Sequence, residues 1–357
     1  MTNNSAPSTL PGRLGTPGML LRDDPRVDPR IPAALAPFEL DGEAAPAPFG
    51  LDAPLEDRIA FASEAEPGFE GLFAALMTSV PAPEGVEDST ETITGVDGNE
   101  IDLFIHRPAG VTDPLPGLLH IHGGGMAILS AAGPLYERWR QKLAATGMVV
   151  VGVQFRNAAG ALGPHAFPAG LNDCTSALQW MHDNRESLGI SKLVVSGESG
   201  GGNLTLATTL KAKADGRLDQ IDGVYAMCPY ISNDYLEKAT GLLSLTENDT
   251  YFLNGHMMGV LSSVYDGADS TDPLAWPYFA SEEDVTGLPP HVISVNELDP
   301  LRDEGLSYYH KLVKAGVRAV GRTVNGTTHA GDAIFQAAIP EVTATTINDI
   351  YSFAASL

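Results

Sequence analysis

VVSGESGGGNL, Val194 to Leu204, sets Ser199 among four glycines after a run of apolar residues. Two readings of those glycines compete. A strand, a glycine-rich turn and a helix can offer backbone N–H groups and a helix N-terminus to a phosphate. That use needs a Lys-Ser/Thr pair closing the loop, or a G-x-G-x-x-G order. Here the loop closes on Gly202-Asn203-Leu204, and Ser199 stands where the middle glycine would fall. The other reading is G-x-S-x-G, with a nucleophilic serine on a strained strand-to-helix turn and small neighbours that let the backbone fold tightly. The run KLVVSGE before it and NLTLATTLKAKA after it supply the strand and the helix. Ser199 is thus the candidate nucleophile, and Gly197 and Gly201 are the residues that permit the turn. Glu198 is expected to be a turn residue hydrogen-bonded locally, Ser196 to be structural, and Gly202 and Asn203 to begin the helix.

A serine that attacks a carbonyl needs donors for the negative oxygen that develops. Consecutive glycines let backbone N–H groups approach such an oxygen, and His122-Gly123-Gly124-Gly125-Met126 follows an earlier apolar run. His122 is expected to brace that loop. The serine also needs a base and the base an orienting acid, in the chain order Ser, Asp or Glu, His. Asp299 follows HVISVNE and His329 follows RAVGRTVNGTT, each just past a strand end, where ligands bind in open parallel sheets. Glu297 and Asp303 are rivals of Asp299, better read as a strand-end residue and a helix cap. His165 is a rival of His329 that follows no late strand. His256, His291 and His310 fall within or beside predicted elements.

Around these motifs, short apolar runs alternate with helical stretches: Gly117 to His122, Met148 to Phe155, Lys192 to Glu198, Gly223 to Cys228, His291 to Glu297 and Arg318 to Val324. Such runs predict strands buried on both faces of a mostly parallel sheet flanked by helices. A β-hairpin around Asp97-Gly98 is expected to open the sheet. Residues 1–85 are expected to form an N-terminal arm and 231–285 an inserted helical cap packed with it. The catalytic domain then comprises 86–230 and 286–357.

The chain carries 21 Lys and Arg against 45 Asp and Glu, a net charge of −24. That charge repels a phosphate backbone and anionic lipid, so neither nucleic acid nor membrane is an expected partner. Cys174 and Cys228 lack any CxxC spacing and are read as buried thiols in a reducing compartment. The first residues lack the pattern of a secretory signal, and no apolar run is long enough to span a bilayer. A cytoplasmic protein is expected. No H-E-x-x-H or clustered ligand set occurs, so neither a metal nor a cofactor is expected.

With HGGGM at 122–126, GESGGGN at 197–203, DPLRDEG at 299–305 and the histidine of TTHAGD at 327–332, the chain resembles the hormone-sensitive-lipase-like branch of α/β-hydrolase esterases. The resemblance implies the α/β-hydrolase fold with an arm and cap, and Ser199, Asp299 and His329 as a catalytic triad. It also implies Gly124, Gly125 and Gly200 as backbone oxyanion donors. Two departures stand out. Many members carry YRLAPE where this chain has Phe155-Arg156-Asn157-Ala158-Ala159-Gly160, and many have a glycine and an aromatic after the histidine where this chain has Ala330-Gly331.

The expected activity is metal-free hydrolysis of small carboxylic esters, lactones among them. An amidase or deacetylase would use the same triad, and a noncatalytic receptor could use the same scaffold. Met126, Ile128, Met257, Met258 and Leu261, with the arm around Met19 to Leu21, are candidate pocket walls. A homodimer is compatible with the chain.

Overall fold

The computed structural model describes residues 10–235, 241–267 and 269–357. Residues 1–9 of the expected arm, and 236–240 and 268 of the expected inserted segment, lie outside the described residues.

Eight strands form one sheet in the order β1-β2-β4-β3-β5-β6-β7-β8. They are β1 (Val86–Thr94), β2 (Glu100–Pro108), β3 (Leu115–Ile121), β4 (Val149–Val153), β5 (Ile190–Glu198), β6 (Gly223–Met227), β7 (His291–Leu298) and β8 (Ala319–Thr328). β1 and β2 form the antiparallel hairpin expected at Asp97-Gly98, with Thr94 opposite Glu100. β2 joins β4 antiparallel, and from β4 to β8 every pairing is parallel. The all-apolar runs are the inner strands: every residue of β4 and β6 is buried, as expected for a parallel sheet covered on both faces. β8 runs further than its apolar stretch, to Thr328, because the backbone ladder with β7 continues to Leu298↔Thr328 through a bulge.

The chain leaves β3 towards β4 through α2 (Pro134–Ala145), then returns across β3 to β5 through α3 (Ala169–Asp183). Right-handed crossovers in opposite directions put their helices on opposite faces. Accordingly α3 packs with α4 (Gly200–Ala214), and α2 packs with α7 (Pro340–Ala355). The reversal of direction at β3 opens a crevice at the carboxyl ends of the strands. HGGG at the end of β3 and Ser199 at the end of β5 both sit at that crevice, on neighbouring strands.

Over the crevice lies α1 (Leu55–Met77), which packs against α2 and against α5 (Gly255–Tyr265). Its buried side chains include Ala62, Glu66, Phe73 and Met77, a spacing that keeps one helix face inward. Residues before α1 are tied to the 231–285 segment by backbone and charged contacts. Ala44 N–H donates to Thr250 O (2.9 Å), and Arg26 pairs with Glu247. Glu247 in turn accepts both terminal nitrogens of Arg302, each at 2.8 Å, at the start of α6 (Arg302–Lys314).

Candidate active site

Ser199 has φ 58 and ψ −120 and occupies the N-cap of α4, yet its hydroxyl makes no capping bond. A non-glycine residue in that region is strained, and such strain concentrates at functional sites. Three backbone bonds hold the turn: Ser199 N–H donates to Met227 O (3.0 Å), and Ser199 O accepts from Asn203 N–H (2.9 Å) and Tyr230 N–H (3.1 Å). The neighbouring glycines answer to close approach. A Cβ at Gly201 would stand 1.9 Å from Ile121 O, and one at Gly197 2.3 Å from the same oxygen. At Gly200 it would lie 2.7 Å from Gly125 N and 2.6 Å from Met126 N. The two glycine clusters therefore meet backbone to backbone.

In the first cluster Gly124 and Gly125 have φ of 103 and 61, and Gly124 O accepts from both Ala127 and Ile128 N–H at 3.1 Å. Among the described residues the N–H groups of Gly124, Gly125 and Gly200 donate to no protein acceptor. Gly123 differs, because its N–H donates to Glu198 Oε1 (2.9 Å). Glu198 Oε2 accepts from His120 Nε2 (3.0 Å). Glu198 is therefore not bonded locally as expected; it ties β5 to β3. Its carboxylate is buried and must find donors, and the adjacent strand offers them. His122 is buried, stacks on Phe155 at 4.2 Å and donates from Nδ1 to Gly123 O (2.7 Å). Burial pushes its pKa down to about 3, so the imidazole is neutral.

Asp299 follows β7 and His329 follows β8, and both are buried. His329 Nδ1 lies 2.8 Å from Asp299 Oδ2; Asp299 Oδ1 accepts Leu301 N–H (2.9 Å). Asn248 Nδ2 donates to the Asp299 carbonyl (3.1 Å). After the histidine, Ala330 takes φ 50 and donates its N–H to Asn296 Oδ1 (3.1 Å). The rivals go elsewhere: Glu297 accepts Gly326 N–H, Asp303 pairs with Arg302, and His165 does not line the cavity described next.

Ser199 and His329 line one cavity, about 810 Å³ of empty space including its mouth. Phe69 and Phe73 of α1 and Tyr136 and Trp139 of α2 form one side; Phe252 and Ile334 lie among the residues that complete it. Ile128, Met257, Met258 and Leu261 line it. Met126 does not: it is 1% exposed, its left-handed backbone (φ 59) turns the loop, and its carbonyl accepts Ala158 N–H. Leu21 is likewise core rather than wall, fully buried with its N–H on Gly42 O. The aromatics of α1 and α2 escaped the sequence reading, although Phe69 to Met77 stands out as an apolar cluster. Asn203 does more than begin a helix, since its Nδ2 bonds Tyr230 O (2.8 Å) and Ala275 O (2.9 Å).

Cys228, Asp299 and His329 each bring a ligand-type atom within 4.8 Å of the others. The acid and the imidazole already bond each other, and burial, with Asp299 and Asp332 nearby, pushes the Cys228 thiol up. A protonated thiol is a poor ligand, so this trio suits a hydrogen-bonded pair beside a packed thiol. The arrangement as a whole, a strained serine, a carboxylate-held imidazole and unpaired N–H groups around an apolar cavity, has the parts of nucleophilic acyl transfer.

Residues 118–332 match the model of a family described as alpha/beta hydrolase fold. The chain belongs to this family. Among solved structures it is similar to brefeldin A esterase, described as a bacterial homologue of human hormone-sensitive lipase. The identity is 48%, with a TM-score of 0.93 and 98% of each chain covered. It is also similar to esterase Est22, 39% identical with a TM-score of 0.83, over 94% of this chain and 99% of that one. An arylesterase of Saccharolobus solfataricus is 30% identical over 71% of this chain and 80% of its own length. These likenesses bear out the resemblance read from the four motifs, and the chain is a carboxylic ester hydrolase.

Proposed function

We propose that this hydrolase cleaves small, largely apolar carboxylic esters through an acyl-enzyme, with Ser199 as nucleophile, His329 as base and Asp299 as orienting acid. His329 takes the Ser199 proton as the hydroxyl oxygen attacks the ester carbonyl. The N–H groups of Gly124, Gly125 and Gly200 receive the oxyanion. When the tetrahedral species collapses, the C–O bond to the alcohol breaks and His329 returns its proton to the leaving oxygen. Water, deprotonated by the same imidazole, then releases the acid and restores Ser199. The observation that carries this reading is the 2.8 Å Asp299–His329 bond at a cavity shared with a serine of φ 58. Asp299 fixes the proton of His329 on Nδ1, which leaves Nε2 to accept.

Apolar walls favour uncharged acyl and alcohol groups. A lactone, an ester closed on itself, breaks by the same steps. Residues 1–85 and 231–285 act together as the cap over the catalytic remainder, and both cysteines are free buried thiols, in keeping with a cytoplasmic enzyme.

The test is Ser199→Ala against a series of p-nitrophenyl esters and one macrocyclic lactone. It should lower kcat by about a millionfold, the scale seen for a well-studied serine hydrolase. The wild type, and not the variant, should be labelled stoichiometrically by a fluorophosphonate. Turnover that survives in the variant refutes the assignment; wild-type binding without labelling or turnover points to a receptor.

A further inference from the structure

The arm helix buries one carboxylate against the loops beside the site. Glu66 of α1 is 5% exposed, and no cation pairs with it among the described residues. Its Oε1 accepts Leu129 N–H at 2.6 Å and its Oε2 accepts Ala161 N–H at 2.7 Å. One turn earlier on the same face, Ser63 Oγ accepts Gly160 N–H at 3.0 Å. Leu129 ends the segment that begins with the HGGG glycines, and it lines the cavity.

We propose that Glu66 is a positioning residue for catalysis: it holds the loop of Gly124 and Gly125 in register with Ser199 by clamping Leu129 and Ala161 to the arm. This rests on the reading that those glycines receive the oxyanion. The clamp has little slack. Gly124 O already ties the turn internally through Ala127 and Ile128. Ala158 and Ala159 N–H bond the carbonyls of Met126 and Ala127, and Asn157 Nδ2 bonds Leu129 O (2.6 Å). The segments 124–129 and 157–161 thus form one slab, and the two oxygens of Glu66 bind one N–H from each half of it.

The sequence allows this through a glycine. A Cβ at Gly160 would stand 2.7 Å from both carboxylate oxygens of Glu66. Glycine at 160 leaves the space, and α1 fills it with a carboxylate from far upstream in the chain. An acid pinned by two N–H groups is worth more to geometry than to net stability, because a buried carboxylate also loses hydration. Oxyanion donors, in contrast, work only when placed to a fraction of an ångström, and a displacement of 1 Å costs about a hundredfold in rate.

The experiment compares wild type, Glu66→Gln and Glu66→Ala by kcat and KM on a p-nitrophenyl ester and by affinity for a trifluoromethyl ketone that forms the oxyanion on Ser199. Glu66→Gln keeps the volume and one acceptor but turns an amide N–H against the second donor; it keeps the test alive if the alanine variant does not fold. In the folded variants kcat should fall about tenfold to a hundredfold. KM should stay within about threefold, and ketone affinity should fall in step with kcat/KM. Formate or acetate, which can refill the hole, should restore part of the kcat of Glu66→Ala and leave wild type unchanged. Unchanged kcat and ketone affinity in folded Glu66→Gln overturn the proposal. So does a loss accounted for wholly by the unfolded fraction. Failure of the underlying reading would show differently, as wild-type protein that neither turns over ester nor binds the ketone.

Discussion

Asp299 grips His329 with one carboxylate oxygen and the backbone of its own loop with the other: Oδ2 lies 2.8 Å from His329 Nδ1, and Oδ1 takes Leu301 N–H at 2.9 Å. Both oxygens must accept. Asp299→Asn keeps the shape but presents an N–H either to Nδ1 or to Leu301, and so favours the wrong imidazole tautomer. Under the proposed mechanism kcat should fall by about ten-thousandfold, as in the serine protease precedent. Near-normal thermal stability should accompany it. Steady-state kinetics with a melting curve checks both.

The turn at Ser199 predicts a stability defect rather than a kinetic one. Gly201→Ala would drive a methyl to 1.9 Å from Ile121 O, and rigid backbone on both sides leaves nowhere to move. Overpacking costs about 1–3 kcal/mol in an ordinary core, and this substitution should reach about 3 kcal/mol or more. Urea denaturation reads it as a lower midpoint. A variant as stable as wild type would mean that β3 and α4 are not packed as described.

Glu247 joins the arm to the catalytic loop, with Arg26 on one side and Arg302 on the other. Glu247→Ala leaves two partly buried guanidinium groups facing each other. Breaking a buried pair costs about 3–5 kcal/mol, and the partial exposure of both arginines argues for the lower end. Chemical denaturation should report the loss. Limited proteolysis should cut the arm sooner in the variant than in the wild type.

Buried titratable groups set the pH range of the fold. Glu304 is buried on Ile231 N–H (2.7 Å) and Tyr235 O–H (3.2 Å), and its second oxygen has no partner among the described residues. Burial raises its pKa from 4.5 to about 8. Between those values the folded chain keeps a proton that the unfolded chain has lost, so this contribution is full below 4.5 and declines as pH rises towards 8. The stability gap between Glu304→Gln and wild type should therefore shift in favour of the variant from pH 5 to pH 8. His122 and His291 act in the opposite direction. Burial lowers their pKa from 6.5 to about 3 and about 4, so acid favours unfolding from pH 6.5 downwards. Melting curves at half-unit pH steps test both slopes.

The sheet and the meeting of the two glycine clusters were legible because each rests on local rules. All-apolar runs mark inner parallel strands, and glycine marks close approach wherever the chain turns. Asp299 and His329 were legible from position alone, one residue past β7 and β8. What escaped reading is held across distance. Glu198 looked like a turn residue because nothing near it in sequence reveals His120 and Gly123 as its partners. Met126 looked like a wall because its neighbours are, and only its left-handed backbone shows that it turns away from the cavity. Glu66, Glu247 and Asn203 carry no motif; each is one polar side chain whose meaning is fixed by elements far along the chain.

The double duty of α1 bears on how substrate gets in and product gets out. The helix contributes Phe69 and Phe73 to the cavity wall and, through Ser63 and Glu66, binds loops beneath it. Swinging α1 aside would widen the passage and, in the same motion, release Leu129. Under the role proposed for Glu66, a site opened on that side is disarmed until the arm reseats, so passage by that route and chemistry would have to alternate.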